Sequence, residues 1–199
     1  MFRRFGLIRS TTFFALAALA LVVSSCAKKE SSETSSATSD TAAAPAPPAL
    51  TDGNIVAIFV AANNADVKNG QQAKGKSKNK QVKDFANRMI QDHTAANKQA
   101  TDLAGKANIT LEDNDASKQL TSDTDAMRDS LGKMTGSAYD KNYIDDEVAI
   151  HEKVLGTLDN TLIPNAQNPD LKTLLTQARA IVSSHLEHAK SIQSQMASK

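Results

Sequence analysis

From Thr51 to the C-terminus, apolar residues recur every three or four positions, the spacing that lines up side chains on one face of an α-helix. The first such stretch, roughly 52–77, opens at an N-cap signal, Thr51-Asp52, and carries Ile55, Ile58/Phe59, Ala62, Ala65/Asp66, Asn69 and Ala73. Gly70 and Gly75 are expected to weaken its end by about 1 kcal/mol each. A second, roughly 78–107, carries Val82, Phe85/Ala86, Met89, His93, Ala96, Ala100 and Leu103. A shorter third, roughly 114–135, carries Leu120, Thr124, Met127, Leu131 and Met134, and Gly136-Ser137 is read as its break. The fourth, roughly 138–162, carries Tyr143, Glu147, His151, Val154, Leu158 and Leu162; Pro164 and residues 165–169 read as a loop. The last, roughly 170–197, carries Leu171, Leu174/Leu175, Ala178, Ile181/Val182, His185, Ala189, Ile192 and Met196. No segment alternates as a half-buried strand does. The pattern predicts an all-α four-helix bundle with long helices of about 40 Å, and one extra short helix in the 105–137 crossover.

Residues 1–50 follow a different logic. Met1 to Arg9 holds three Arg and no acid, and a 13-residue run from Thr11 to Val23 is apolar after its first two residues. That run is shorter than the roughly 20 residues of a membrane span and has the size of a secretory h-region. It leads into Val23-Ser24-Ser25-Cys26, which resembles the bacterial lipobox, so residues 1–25 are expected to be a lipoprotein signal peptide and Cys26, the single cysteine, the lipidated residue. Acyl chains, at about 0.8 kcal/mol per buried CH₂, would anchor the chain to a membrane without a spanning helix. Ala27 and Lys28 offer no Asp of the kind that retains enterobacterial lipoproteins in the inner membrane, so a periplasm-facing anchor in the outer membrane is expected over one in the inner membrane. The Ser/Thr/Ala/Pro stretch from 26 to 50 reads as a disordered linker reaching roughly 25–30 Å, and residues 51–199 as the folded domain.

Composition narrows the function classes. Aromatics are 4% with no Trp, which argues against an aromatic-rich β-sandwich. The net charge of +1 loses its three signal Arg on cleavage, leaving 20 basic against 22 acidic residues, a balance of −2. No nucleic-acid partner is expected from so little basic excess; Lys74, Lys76, Lys78 and Lys80 cluster at a helix junction, where a solvated turn or contact with anionic lipid headgroups would account for them. There is no Gly-x-Ser-x-Gly elbow, phosphate loop or His-Glu-x-x-His, so any enzyme activity would be metal-assisted.

The informative residues are polar ones in apolar registers. Asp66, His93, Glu147, His151 and His185 each fall on a stripe near the middle of its helix, so an antiparallel bundle would collect them in one interior layer. Buried alone they would cost several kcal/mol, so they must bind one another, water or an ion. Imidazole and carboxylate suit zinc, iron, manganese or copper, giving a candidate single transition-metal site. The alternative is a metal-free layer of His93–Asp66 and His151–Glu147 pairs that sets helix register, in a structural or interaction module of the envelope. His188 lies at the stripe edge and is expected to be solvated.

Ala65 to Ala73 (Ala-Asp-Val-Lys-Asn-Gly-Gln-Gln-Ala), Phe85 to His93 (Phe-Ala-Asn-Arg-Met-Ile-Gln-Asp-His), Tyr139-Asp-Lys-Asn-Tyr143-Ile and Ser184-His185-Leu resemble the DUF4142 family over roughly residues 51–195. That resemblance implies a ferritin-like helical bundle in a bacterial envelope protein without an established activity, with the family's polar positions at Asp66, His93, His151 and His185. The family usually has Glu where this chain has Asp66. Di-iron bundles of the ferritin type carry Glu-x-x-His on two helices. Here the residues three before the four His are Ile90, Val148, Val182 and His185, so the di-iron signature is absent.

Overall fold

The computed structural model describes residues 49–198; the expected signal peptide, Cys26 and the linker up to Pro48 lie outside the described residues. The described residues are all-helical, with the element order α1 (Asp52–Lys76), α2 (Lys80–Lys106), α3 (Asp115–Gly132), α4 (Gly136–Thr157), a π-helical turn (Leu158–Leu162), the one-turn α5 (Ile163–Asn165) and α6 (Pro169–Ala197). None of these helices is long and apolar enough to cross a membrane.

Local chemistry fixes most helix starts. The Thr51 hydroxyl accepts from the Asn54 N–H at 3.1 Å while Asn54 Oδ1 accepts from the Thr51 N–H at 3.2 Å, a reciprocal cap on two otherwise orphaned donors. Asn114 and Ser117 form the same arrangement on α3, and Asn79 and Asn168 cap α2 and α6. Leu50, the last residue of the expected linker, belongs to the fold instead: it packs on the cluster that holds Ile55, the partner position of a hydrophobic staple. Gly136, read as a break, stands at φ 60° as the first residue of α4, a conformation that costs glycine nothing.

The expected loop at Pro164 is helical as far as Asn165. The preceding turn is wound wide, with the Ile163 N–H donating to the Leu158 carbonyl five residues back. Pro164 then sits in the first turn of α5, where its missing N–H is not needed.

Two antiparallel pairs, α1/α2 and α4/α6, make up the bundle and give its most extensive contacts. Asn63 faces His93 and Gly70 faces Ala86 across the first pair; Asp145 meets Gln193 and Glu152 meets Lys190 across the second. The crossover helix α3 lies along α1, running the same way: Lys68 pairs with Asp125, and Gln72 and Lys76 reach the Arg128 and Gly132 carbonyls. Lys76 also lies over the Tyr139 ring at 5.6 Å, so this member of the lysine cluster is committed to intramolecular contacts.

Apolar burial falls into two clusters. One gathers Ile55 to Phe59, Ala100, Ala104, Leu158, Leu162 and the Leu171–Val182 face of α6. The other gathers Ala73, Val82 to Met89, Tyr139 to Val148 and Leu186 to Ile192. On all four long helices the residues between these clusters include buried polar ones, as the middle-of-helix registers require.

Candidate metal centre

Asn63, Asp66 and Asn69 follow one another at three-residue spacing on the inner face of α1. Glu147 and His151 stand one turn apart on α4, His93 comes from α2 and His185 from α6. All five expected site residues are buried, from 5% exposed at His93 to 0% at His185. One ligand atom from each of His93, His151 and His185 lies within 4.8 Å of the other two, and the same holds for Asp66, Glu147 and His151. The three rings form a near-regular triangle, with centroids 5.1, 5.6 and 5.9 Å apart. His188 does not join them; it is half-buried and packs edge-on against Phe85.

Each imidazole is held by a hydrogen bond through one nitrogen. His93 Nδ1 is 2.7 Å from Asn63 Oδ1. The Asn63 amide donates its N–H to the Phe59 carbonyl at 2.9 Å, which turns its oxygen towards the ring and makes His93 Nδ1 the donor. His151 Nδ1 is 2.8 Å from the Glu147 carbonyl, another obligate acceptor. His185 Nε2 is 2.8 Å from Asp92 Oδ2, so it too donates. The remaining nitrogens, His93 Nε2, His151 Nε2 and His185 Nδ1, are therefore the lone-pair nitrogens, and all three are buried without a hydrogen-bond partner. Asp66 Oδ1 and both Glu147 carboxyl oxygens are likewise buried and unpartnered.

The structure brings together both expected pairs, His93 with Asp66 and His151 with Glu147, but the shorter bonds of these imidazoles go elsewhere. Asp66 Oδ2 and Glu147 Oε2 each stand 3.5 Å from the neighbouring His Nδ1, beyond the bonds those nitrogens make to Asn63 and to the helix backbone. Asn63 and Asp92 were not expected in the site. Adjacent positions on a helix point apart, so Asp92 reads as surface beside His93, and only the need of His185 for an acceptor on α2 would have singled it out. Tyr143, on the expected stripe one turn before Glu147, adds a buried unpartnered hydroxyl.

Burial governs the ionisation of the site. It pulls His93 down to about 4, outweighing the nearby Asp92 carboxylate, and His185 down to about 4 despite its bond to that carboxylate. His151 is lowered for the same reason. Burial lifts Asp66 to about 6 against the opposing pull of His151, and raises Glu147 well above the carboxylate range, with Asp66 adding repulsion. At neutral pH the triangle is three neutral imidazoles with fixed tautomers, the form that binds transition metals.

The family model described as "Domain of unknown function (DUF4142)" matches residues 37–192, from the linker to the last turns of α6. No curated protein and no solved structure matches the chain.

Proposed function

The chain belongs to the DUF4142 family, and from that premise we propose that it is a lipid-anchored protein of the cell envelope whose bundle interior holds a single transition-metal ion, of zinc, iron, manganese or copper. The observation that carries the metal reading is the set of three lone-pair nitrogens, each on a ring whose other nitrogen is held by a hydrogen bond and each buried without a partner. Imidazoles held in this way by outer partners are the usual arrangement around a bound metal. His93, His151 and His185 would bind the ion, with Asp66 and Glu147 completing the site. Charge supports the stoichiometry: one divalent ion with two ionised carboxylates and three neutral imidazoles leaves the interior without net charge, which a low-dielectric site favours.

Elemental analysis of the purified protein, after exposure to each metal and dialysis, tests this. About one ion per chain is expected, falling in His93→Gln and His185→Gln. Less than about 0.2 per chain, with no thermal shift on adding Zn²⁺, Cu²⁺, Mn²⁺ or Fe²⁺, would leave the polar layer a register device in an envelope interaction module. The anchor is tested separately: labelled palmitate should enter the wild-type chain and not Cys26→Ala, and membrane fractionation should find the protein facing the periplasm, in the outer membrane.

A further inference from the structure

We propose that Asp92 is the residue through which the ion reaches the imidazole triangle, and that Arg88 competes with the ion there. The inference rests on the metal reading above and concerns how a buried site is loaded. The side chains of the five ligands are almost wholly buried, as is Asn63, and the partner of His151 is a backbone carbonyl. Asp92 is the exception among the groups that hold the triangle. Its side chain is 30% exposed, yet Oδ2 is one hydrogen bond from His185. It therefore joins water to the site with a single carboxylate.

The surroundings suit that role. Asp92 lies in the seam between α2 and α6, which is packed less extensively than the α1/α2 and α4/α6 pairs. The Arg88 guanidinium spans the seam: Nε is 3.4 Å from Asp92 Oδ2 and Nη2 donates to the Ser184 hydroxyl at 3.0 Å, next to His185 in the chain. A hydrated divalent cation arriving at the seam meets the carboxylate and displaces the guanidinium, exchanging one cation for another. Rotation of the His185 ring about its outer χ angle, which has broad wells, turns the lone-pair Nδ1 to the captured ion, and the return rotation carries the ion inward and restores the Nε2–H bond to Asp92 with no change of protonation. Asp92 is on this account a positioning and capture residue; the ligands remain the five interior ones.

Loading of the metal-free full-length protein with Co²⁺, followed by stopped-flow absorption of the bound ion, tests the proposal. Asp92→Asn keeps an oxygen acceptor for His185 and removes the charge, so the association rate should fall about tenfold, electrostatic steering being worth a factor of 10 or more. Asp92→Glu should restore most of the rate. Arg88→Gln should load faster than wild type and Arg88→Lys, which keeps the charge, at about the wild-type rate, whereas loss of a purely structural strap would speed both. Arg88→Gln also carries the test should Asp92→Asn fail to fold. A wild-type rate in either Asp92→Asn or Arg88→Gln, or slowing in both, overturns the proposal while leaving the metal reading intact. No Co²⁺ binding by the wild-type protein overturns both.

Discussion

Asn63 shows how much of the site is set by residues that would never touch an ion. Its amide is oriented by the Phe59 carbonyl, and that orientation decides which His93 nitrogen carries the proton. Asn63→Leu keeps the volume and removes the acceptor, leaving a buried Nδ1–H unpaired. The metal-free protein should lose about 1–3 kcal/mol, the usual penalty for an orphaned buried donor. Zn²⁺ affinity, read by competition with a chromophoric chelator, should fall about 10- to 100-fold, as when other outer partners of metal-binding histidines are removed. An unchanged affinity would mean that Asn63 does not set the tautomer. The five interior residues were legible because each sits in an apolar register near mid-helix, and a helix has one inner face. Asn63 and Asp92 were not, since nothing in a one-dimensional pattern tells which polar neighbour of a ligand turns inward.

Among the elements, α1 offers a controlled comparison in its two late glycines. Composition treats Gly70 and Gly75 alike, each a helix-weakening residue. The structure separates them. A Cβ at Gly70 would stand 2.9 Å from the Ala86 carbonyl oxygen and 3.0 Å from Ile90 Cγ1, because α2 passes against the α1 backbone there; at Gly75 nothing lies within 4 Å. Gly75→Ala should therefore stabilise the protein by about 0.4–1 kcal/mol. Gly70→Ala gains the same helix propensity and must part the two helices, so a net loss of about 1–3 kcal/mol is expected. Urea denaturation of the two variants measures both, and opposite signs are the prediction. The π-helical turn taught a related lesson. Pro164 justified an expected helix end by the usual rule, but a wide turn just before it let a proline occupy the first turn of a new helical segment. The long helices and their order were readable because period and caps are local; the winding of a single turn against α6 and the core is not.

For the molecule as a whole, the polar layer ties stability to pH in a way that depends on the ion. In the metal-free protein, His93 and His185 titrate near 4 when folded and near 6.5 when unfolded, and His151 is shifted in the same direction. Between those values the unfolded chain binds up to three protons that the folded triangle refuses, so these groups favour folding more as pH rises. Asp66, lifted to about 6, and Glu147, raised well above the carboxylate range by burial, act in the opposite sense: the folded state keeps up to two protons that the unfolded chain has released. Between about pH 4.5 and 6 the three imidazoles outnumber the two carboxyls by one, so the layer's own contribution to metal-free stability should climb with pH, by about 1.4 kcal/mol per pH unit for that one proton. Above 6.5 the imidazole difference vanishes, so the climb should end near pH 6.5. A bound divalent ion excludes protons from all five groups, and the folded state then keeps none of them. The acid limb should steepen. Urea melts from pH 5 to 8, with and without saturating Zn²⁺, read both curves. Superimposable profiles would show that the five groups titrate without regard to the ion, and a metal-free curve still rising between pH 7 and 8 would show that these imidazoles do not set the acid limb.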